Sequence, residues 1–383
     1  MKLNKESKQP IVARSEKLQI MYCSADYFSD IAVTIANELS QLCTLGFIYE
    51  CQIKKFDDVK TNSFFHFLHK TIKTFVIKRK GRRRSLINLY YDSILFWKIV
   101  VSNPGVLILE TVAGPYFVFY FLILKILGFK IVLMLHDVVP HSEFGHWVDE
   151  WIKKIQIRFA DQIVTFSKNQ NDMLFEIYKR EGHSIKLPYK DYYERTYSNI
   201  SIQREENTIL FFGTIRPNKG LETLIQAVEI IHNSVPNINL IIAGQCSDFS
   251  RYEALIKTSS IYELHIERIH DDVVGAFFLR SQLLVLPYHD ATQSGPPLIA
   301  YGFGCPVIAT KVGGISEYIV DEKTGLLCEK DNPLDLAEKI CVLLNDRVRL
   351  KRMQEEVTHY VREEYDARKI ASKLYSIIND IDA

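Results

Sequence analysis

The stretch Phe211-Phe-Gly-Thr-Ile-Arg-Pro-Asn-Lys-Gly220, continued by Leu-Glu-Thr-Leu-Ile-Gln-Ala-Val228, decides the fold of this chain. It reads as a short apolar strand, a glycine turn and a helix, the succession from which parallel α/β sheets are built. Helix N-termini present unpaired N–H groups, and Arg216 and Lys219 add two cations at the same point. Taken alone, the segment is either an anion site or a solvated loop with two incidental cations.

The same alternation of strands and helices continues in both directions. We predict strands at Leu18–Cys23, Phe47–Ile53, Val106–Glu110, Lys130–Leu135, Gln162–Phe166, Thr208–Gly213, Asn239–Gly244, Gln282–Pro287 and Pro306–Thr310. We predict helices at Asp30–Leu42, Phe64–Val76, Pro115–Leu127, Trp147–Phe159, Asn169–Lys179, Gly220–His232, Asp271–Arg280 and Gly295–Phe303. Beyond Pro333 the pattern is purely helical. The fold class is therefore α/β, with two Rossmann-like parallel sheets and a helical C-terminal tail.

The length of 383 residues predicts two to three domains. Apolar periodicity lapses in the polar stretch Asp191–Asn207, which we take as the boundary. The predicted domains are residues 1–200, residues 201–362, and a C-terminal helix at 363–383 that can pack back on the first domain.

Composition excludes several classes of protein. Apolar residues make up 47% of the chain, which is typical of a folded globular protein. The 47 basic residues nearly balance the 46 acidic ones, so nucleic acid is not an expected partner. Seven cysteines without a CxxC pair indicate buried free thiols in a reducing compartment. The polar N-terminus lacks the apolar region of a secretory signal, which predicts a cytoplasmic protein.

One apolar run, Tyr116–Leu135, approaches the length of a membrane-spanning helix. Lys125, Gly128 and Lys130 interrupt it, and a helix that stops at Gly128 before a buried strand accounts for it better.

Two further strand-to-helix turns carry small or polar residues. The first is Leu286-Pro-Tyr-His-Asp-Ala-Thr-Gln-Ser-Gly-Pro-Pro-Leu298, and the second is Pro306-Val-Ile-Ala-Thr-Lys-Val-Gly-Gly-Ile-Ser-Glu317. Like the turn at 213–220, both follow the carboxyl ends of strands, where open α/β sheets bind ligands. Three converging turns favour a binding site over three unrelated loops.

The ordered segments FFGTIRPNKGLETLIQAV, LIIAG, LLVLPYHDATQSG, CPVIATKVGGISEYI and KTGLL resemble the nucleotide-sugar domain of glycosyltransferase family 4. Those are retaining enzymes of the GT-B fold, in which two Rossmann-like domains face a cleft. The resemblance covers roughly residues 207–345 and is thinner in the first half, where it rests on LMLHDVVPH at 133–141 and ADQIVTFSKNQNDML at 160–174.

The resemblance implies a sugar transfer from a nucleotide diphosphate sugar to a hydroxyl of a glycan or lipid-linked acceptor, without a cofactor or metal ion. Arg216 and Lys219 would hold the donor diphosphate and His136 would lie beside the sugar and act with them in catalysis. The remaining donor contacts that it implies are Gly213, Asp290, Gln293, Ser294, Gly295 and Glu317. The acceptor contacts that it implies are Asp26, His136 and Asp137.

The chain departs from the family pattern in two places. Thr214 follows Gly213 where the family has arginine, and that charge comes at Arg216 instead. The two glutamates that the family places before the PVIAT strand are replaced by Ala291 and Ile299, so ribose recognition must differ or activity is weakened. A nucleotide-sugar epimerase and a degenerate binding module therefore remain alternatives.

The segment Lys78-Arg-Lys-Gly-Arg-Arg-Arg84 carries six cations in seven residues and follows the aromatic-rich segment at 64–76. Cations beside exposed apolar surface favour an anionic membrane face. The alternative is a solvated loop. If the membrane hypothesis holds, a peripheral enzyme acting on a lipid-linked glycan in surface polysaccharide synthesis is the natural expectation.

Overall fold

The computed structural model describes residues 19–52, 67–80, 85–110, 116–139, 147–198 and 200–381. These residues form two sheets of parallel strands with helices between most successive strands, and a helical C-terminal tail. The α/β fold class with two Rossmann-like sheets is thereby confirmed.

The first sheet has seven strands in the order β3-β2-β1-β4-β5-β6-β7. Its strands are β1 (Ile20–Ala25), β2 (Leu45–Gln52), β3 (Lys73–Arg79), β4 (Val106–Leu109), β5 (Lys130–Leu135), β6 (Gln162–Thr165) and β7 (His183–Ser184). The helices that accompany it are α1 (Ser29–Leu39), α2 (Ile87–Ser102), α3 (Phe117–Ile126), α4 (Trp147–Phe159) and α5 (Lys168–Tyr178).

The second sheet has six strands in the order β10-β9-β8-β11-β12-β13, and a short helix, α6 (Tyr192–Tyr197), precedes it. Its strands are β8 (Thr208–Phe212), β9 (Asn239–Ala243), β10 (Tyr262–His265), β11 (Leu283–Leu286), β12 (Val307–Thr310) and β13 (Gly325–Cys328). The remaining helices are α7 (Leu221–Ile231), α8 (Ser250–Glu253), α9 (Asp271–Arg280), α10 (Pro296–Gly302), α11 (Pro333–Asn345), α12 (Arg347–Glu364) and α13 (Ala367–Asn379).

The strand order of the second sheet reverses between β8 and β11. From β8 the sheet grows one way through β9 and β10, and the other way through β11, β12 and β13. Loops that leave the carboxyl ends of strands at such a reversal diverge and leave room for a ligand. The turns after β8 and β11 are those that carry the residues predicted from the sequence.

The core of this sheet explains why the sequence at 208–231 folds as it does. Ile209 and Phe211 on β8 are buried in the same cluster as Leu221, Leu224 and Val228 on α7. The alternating apolar residues of the strand and the helically spaced ones of α7 therefore share one apolar core, which fixes the position of the turn between them.

The chain divides into two compact units. Unit 1 comprises residues 1–132 and 159–161, and unit 2 comprises residues 133–158 and 162–383. Within unit 2, Lys373 of α13 donates a hydrogen bond to the carbonyl of Ser184 in β7 at 2.7 Å.

One predicted helix is wrong. The segment Phe64–Val76 was expected to be helical, but residues 73–79 form β3, which pairs in parallel with β2, and residues 64–66 lie outside the described part. The apolar spacing of this segment suits either element, and the open edge of β2 selects the strand. The helices α2, α6 and α8 and the strands β7, β10 and β13 were not predicted.

The apolar run at 116–135 forms α3 and β5, as expected from the glycine stop. Within the described residues, the structure contains no helix that is both long and apolar enough to cross a membrane.

The basic segment at 78–84 is only partly described, because residues 81–84 lie outside the described ranges. Its second residue, Arg79, is not a surface cation. The guanidinium is buried and forms ion pairs with Glu50 at 2.6 Å and Asp92 at 2.7 Å. Arg79 is therefore not available to a membrane surface or to solvent.

Candidate functional site

The turn after β8 is packed against the loop after β11. Gly220 has φ +61°, and a Cβ atom there would lie 1.9 Å from the carbonyl oxygen of Pro287, so only glycine fits. On the same turn, the carbonyl of Asn218 accepts a hydrogen bond from the backbone N–H of His289 at 2.9 Å. The first two predicted turns therefore form one structure.

This arrangement fixes the two predicted cations on one short turn. Arg216 precedes the 3-10 helix Pro217–Lys219 in extended conformation and is exposed. The ammonium group of Lys219 lies 3.7 Å from the ring centre of Tyr288, which is buried. A cation held over an aromatic face keeps its position while its remaining N–H bonds stay available to an anion.

His289, which no sequence motif indicated, lies beside Gly220 of the same turn. His289 contacts Glu222 in the first turn of α7 at 3.4 Å through Nε2, and its Nδ1 pairs with the carboxylate of Asp331. The partners are far apart in sequence, so no local spacing could have indicated the cluster. It places the carboxylates of Glu222 and Asp331 on either side of the His289 ring.

The third turn also joins the site. The backbone N–H of Gly314 donates to the carbonyl of Ala291 at 2.9 Å. Gly313 has φ +44°, and a Cβ atom there would lie 2.0 Å from the same carbonyl. The turns after β8, β11 and β12 therefore converge, as the sequence predicts. Ala291, which stands where the family has a glutamate, is buried and contributes its backbone to this packing.

His136 follows β5 and is buried in unit 2, with only 5% of its surface exposed. Its ring stacks on Phe166 with the centres 4.4 Å apart. Nδ1 lies 2.6 Å from the side-chain amide nitrogen of Gln293. In this orientation of the Gln293 amide the nitrogen donates and Nδ1 accepts, which in a neutral ring places the proton on Nε2. The structure thus brings together His136, predicted to contact the acceptor, and Gln293, predicted to contact the donor.

The residues next to His136 are held by several hydrogen bonds. The carboxylate of Asp137 accepts from the hydroxyl of Thr292 at 2.5 Å, and its carbonyl accepts from Lys153 at 2.8 Å. The N–H of Val138 donates to the side chain of Gln170 at 2.7 Å. Asp137 was predicted to contact the acceptor, and here its carboxylate binds the loop that carries Gln293.

Glu317 contacts a helix terminus. Its two carboxylate oxygens accept hydrogen bonds from the backbone N–H groups of Lys168 at 2.8 Å and Asn169 at 2.7 Å. An acid at that position satisfies two of the unpaired amides at the start of α5 and complements its dipole. Glu317 therefore has a structural partner, and its predicted donor contact stays a prediction.

The other predicted residues are placed as follows. Asp290 is exposed, Ser294 is buried, and Gly295 is exposed where α10 begins. Asp26 lies in unit 1, in the 3-10 helix Asp26–Phe28 that follows β1. Among the described residues, no three or more His, Cys, Asp or Glu side chains are grouped as a metal site. All seven cysteines are free thiols, four of them buried.

Comparison with known proteins bears on this geometry. Residues 194–362 match the family described as Glycosyl transferases group 1. An uncharacterized glycosyltransferase of Methanocaldococcus jannaschii is 31% identical over 224 residues, which cover 54% of this chain and 59% of that relative. The capsular polysaccharide biosynthesis glycosyltransferase CapM of Staphylococcus aureus is 23% identical, covering 85% of this chain and 82% of CapM.

A solved structure supports the fold. HepE of Anabaena, crystallised in complex with UDP and glucose, matches with a TM-score of 0.68 at 14% identity, over 94% of this chain and 99% of that chain. This likeness extends over both sheets and supports the GT-B fold. The family match, in contrast, is confined to residues 194–362, and the match to the Methanocaldococcus relative spans only about three fifths of that protein.

Proposed function

We propose that this chain, in which residues 194–362 match Glycosyl transferases group 1, is a retaining glycosyltransferase. It moves a sugar from a nucleotide diphosphate sugar to a hydroxyl of a glycan, and a lipid-linked intermediate of surface polysaccharide synthesis is the acceptor we favour. The similarity to CapM, named for capsular polysaccharide biosynthesis, supports the pathway class. The UDP and glucose in the HepE structure support the donor class.

The observation that carries the proposal is the pair of cations on the converging turns. Arg216 and Lys219 lie on the turn after β8, packed against the loop after β11, where the strand order reverses. Negative charge builds up on the diphosphate as the glycosidic bond breaks, so fixed cations there stabilise the transition state more than the ground state. Each such charge-assisted hydrogen bond contributes about 1.5–3 kcal/mol.

The same arrangement suggests how transfer proceeds. In our proposal two side-chain cations neutralise the leaving diphosphate, so no metal ion is required for that task. His136, with its proton on Nε2, can donate a hydrogen bond to the sugar or acceptor. No side chain is assigned as a covalent nucleophile, and we propose that the leaving phosphate accepts the proton of the acceptor hydroxyl, which then attacks from the same face.

Two further features belong to the proposal. Asp290, which is exposed next to the buried Ala291, takes over part of the polar recognition that the family assigns to its missing glutamates. The protein acts from the cytoplasmic side as a peripheral membrane enzyme, where both a nucleotide sugar and a lipid-linked acceptor are available.

A donor panel tests the reaction class. Incubation with UDP- and GDP-sugars in the presence of glycan acceptors should release the nucleoside diphosphate. Conversion of the donor into an isomeric sugar would instead indicate an epimerase. Thermal stabilisation by the donor without turnover would indicate a binding module.

Lys219→Ala tests the diphosphate assignment. We expect turnover to fall at least about tenfold, because one charge-assisted bond to the leaving group is lost. Lys257→Ala is the matched control, because Lys257 is an exposed lysine in the segment between α8 and β10. Equal turnover by the Lys219 variant and the control would show that Lys219 does not bind the diphosphate.

A further inference from the structure

Two neighbouring helices of unit 1 carry large apolar side chains that face solvent. On α2, Tyr90, Trp97 and Val101 are 63–65% exposed. Their spacing of seven and four residues places them on one face of the helix. Leu86, directly before α2, continues the same row and is 76% exposed. In most amphipathic helices such an apolar row packs against the core, but this row is exposed to solvent.

The helix α3 repeats this feature. Phe119, Ile123 and Ile126 lie on one face of it and are 59%, 41% and 84% exposed. The two helices touch through Tyr120, whose hydroxyl is 2.6 Å from that of Ser93 on α2. The exposed rows flank this contact, and together they form one surface. We define the α2–α3 face as Tyr90, Trp97, Val101, Phe119, Ile123 and Ile126.

Charge along the edge of this face is positive. Lys73 is exposed on the side of β3 that faces α2, and its ammonium lies 5.5 Å from the ring centre of Phe75. Lys98, on α2, reaches the ring of Phe75 on β3, with its ammonium 4.8 Å from the ring centre. Within α2, α3 and β3 the single acid is Asp92, and it is buried against Arg79. The surface therefore combines apolar side chains with lysines and lacks an exposed acid within these three elements.

We propose that the α2–α3 face docks on the surface of an anionic lipid bilayer. Apolar rows on adjacent helices can enter the boundary between head groups and acyl chains, where Trp and Tyr are favoured. The lysines at the edge would then lie at the level of the lipid phosphates, which attract them. This deepens the proposed peripheral location and relocates it from the basic segment at 78–84 to folded helices.

Trp97 supplies a direct reporter. The chain has three tryptophans, and the other two, Trp147 and Trp151, are exposed on α4 and can be replaced by phenylalanine. In this single-tryptophan protein we expect vesicles of phosphatidylcholine and phosphatidylglycerol to shift the emission of Trp97 to shorter wavelength. Brominated lipids should quench it. Vesicles of phosphatidylcholine alone should bind more weakly.

Substitutions separate the apolar and charged contributions. Phe119→Ser with Ile126→Ser should lower the vesicle partition coefficient at least about tenfold, because two large side chains no longer leave water. Lys73→Gln and Lys98→Gln should each weaken binding about fivefold at low salt. Val348→Ser, at a residue that is 83% exposed on α12, is the control and should bind as the parent does.

The outcomes are distinct. Vesicle binding that is equal in the Phe119/Ile126 variant and the parent, or an unshifted Trp97, would overturn the inference. Dimers that sediment in the parent and dissociate in the variant would assign the face to a second copy of the chain instead. Donor turnover with a water-soluble acceptor is measured in the same variants. Donor turnover tests the proposed function, and vesicle binding tests the α2–α3 face, which lies outside the proposed site. A failure of one proposal can therefore be distinguished from a failure of the other.

Discussion

The hydrogen bond between Gln293 and His136 makes the sharpest prediction about the site. Gln293 reaches Nδ1 of a histidine that is 5% exposed and stacked on Phe166, so no solvent can readily replace the lost donor. In the proposed function, this bond keeps the proton of His136 on Nε2. Gln293 is therefore a positioning residue that acts through His136.

Gln293→Leu removes the donor while keeping a similar volume. A buried acceptor left without its partner costs about 1–3 kcal/mol. If this free energy is lost in the transition state, because His136 is no longer held in its reactive position, kcat should drop by roughly five- to 150-fold. The KM for the donor should change much less, because the backbone amides of the 293–295 turn remain. Gln226→Leu, at an exposed position of α7, is the matched control.

Gln293→Glu gives the opposite perturbation. A carboxylate at this position can only accept, so it favours a proton on Nδ1 of His136 and reverses the direction of the hydrogen bond. Because the substitution also adds a titratable carboxyl, we expect the pH profile of kcat to change, and we expect the ¹⁵N shifts of His136 to report a proton on Nδ1. A change in thermal stability alone would not produce either result.

A double-mutant cycle tests whether Gln293 acts through His136. If Gln293 acts through His136, then Gln293→Leu should add little to the loss caused by His136→Ala. Fully additive losses, or an unchanged kcat and pH profile in both Gln293 variants, would refute the reasoning.

Two further predictions concern stability. Gly220→Ala should lower the free energy of unfolding by at least about 2 kcal/mol, because the left-handed backbone and the contact with Pro287 both oppose a Cβ atom. Gly128→Ala is the control, since Gly128 has φ +84° but open space around it, and denaturant titration should show a clearly smaller loss. Equal losses in the two variants would contradict the predicted clash with Pro287. Burial raises the pKa of Asp92 to about 6 although Arg79 opposes this, so the native state binds more protons than the unfolded chain between about pH 4 and pH 6. Stability should therefore fall as the pH rises through that window, and Asp92→Asn should flatten this dependence; an equally steep slope in that variant would assign the titration to another group.

The sequence by itself determined the elements whose periodicity is unambiguous. Lys130–Leu135, Trp147–Phe159 and Asp271–Arg280 were predicted with the bounds that the structure shows. The convergence of the three turns was also predictable, since parallel strands place their carboxyl ends at one edge of a sheet. Local patterns were sufficient in these cases because burial on one or both faces leaves a regular apolar spacing.

Tertiary structure decided what local patterns leave open. The segment at 73–79 became a strand because the edge of β2 was available, and Arg79 became buried because Glu50 and Asp92 lie beside it. The contacts of Glu317 with the start of α5 and of Gln293 with His136 join residues more than a hundred positions apart. A side chain's partner depends on which distant segments the fold brings within hydrogen-bonding distance, and no spacing along the chain encodes that.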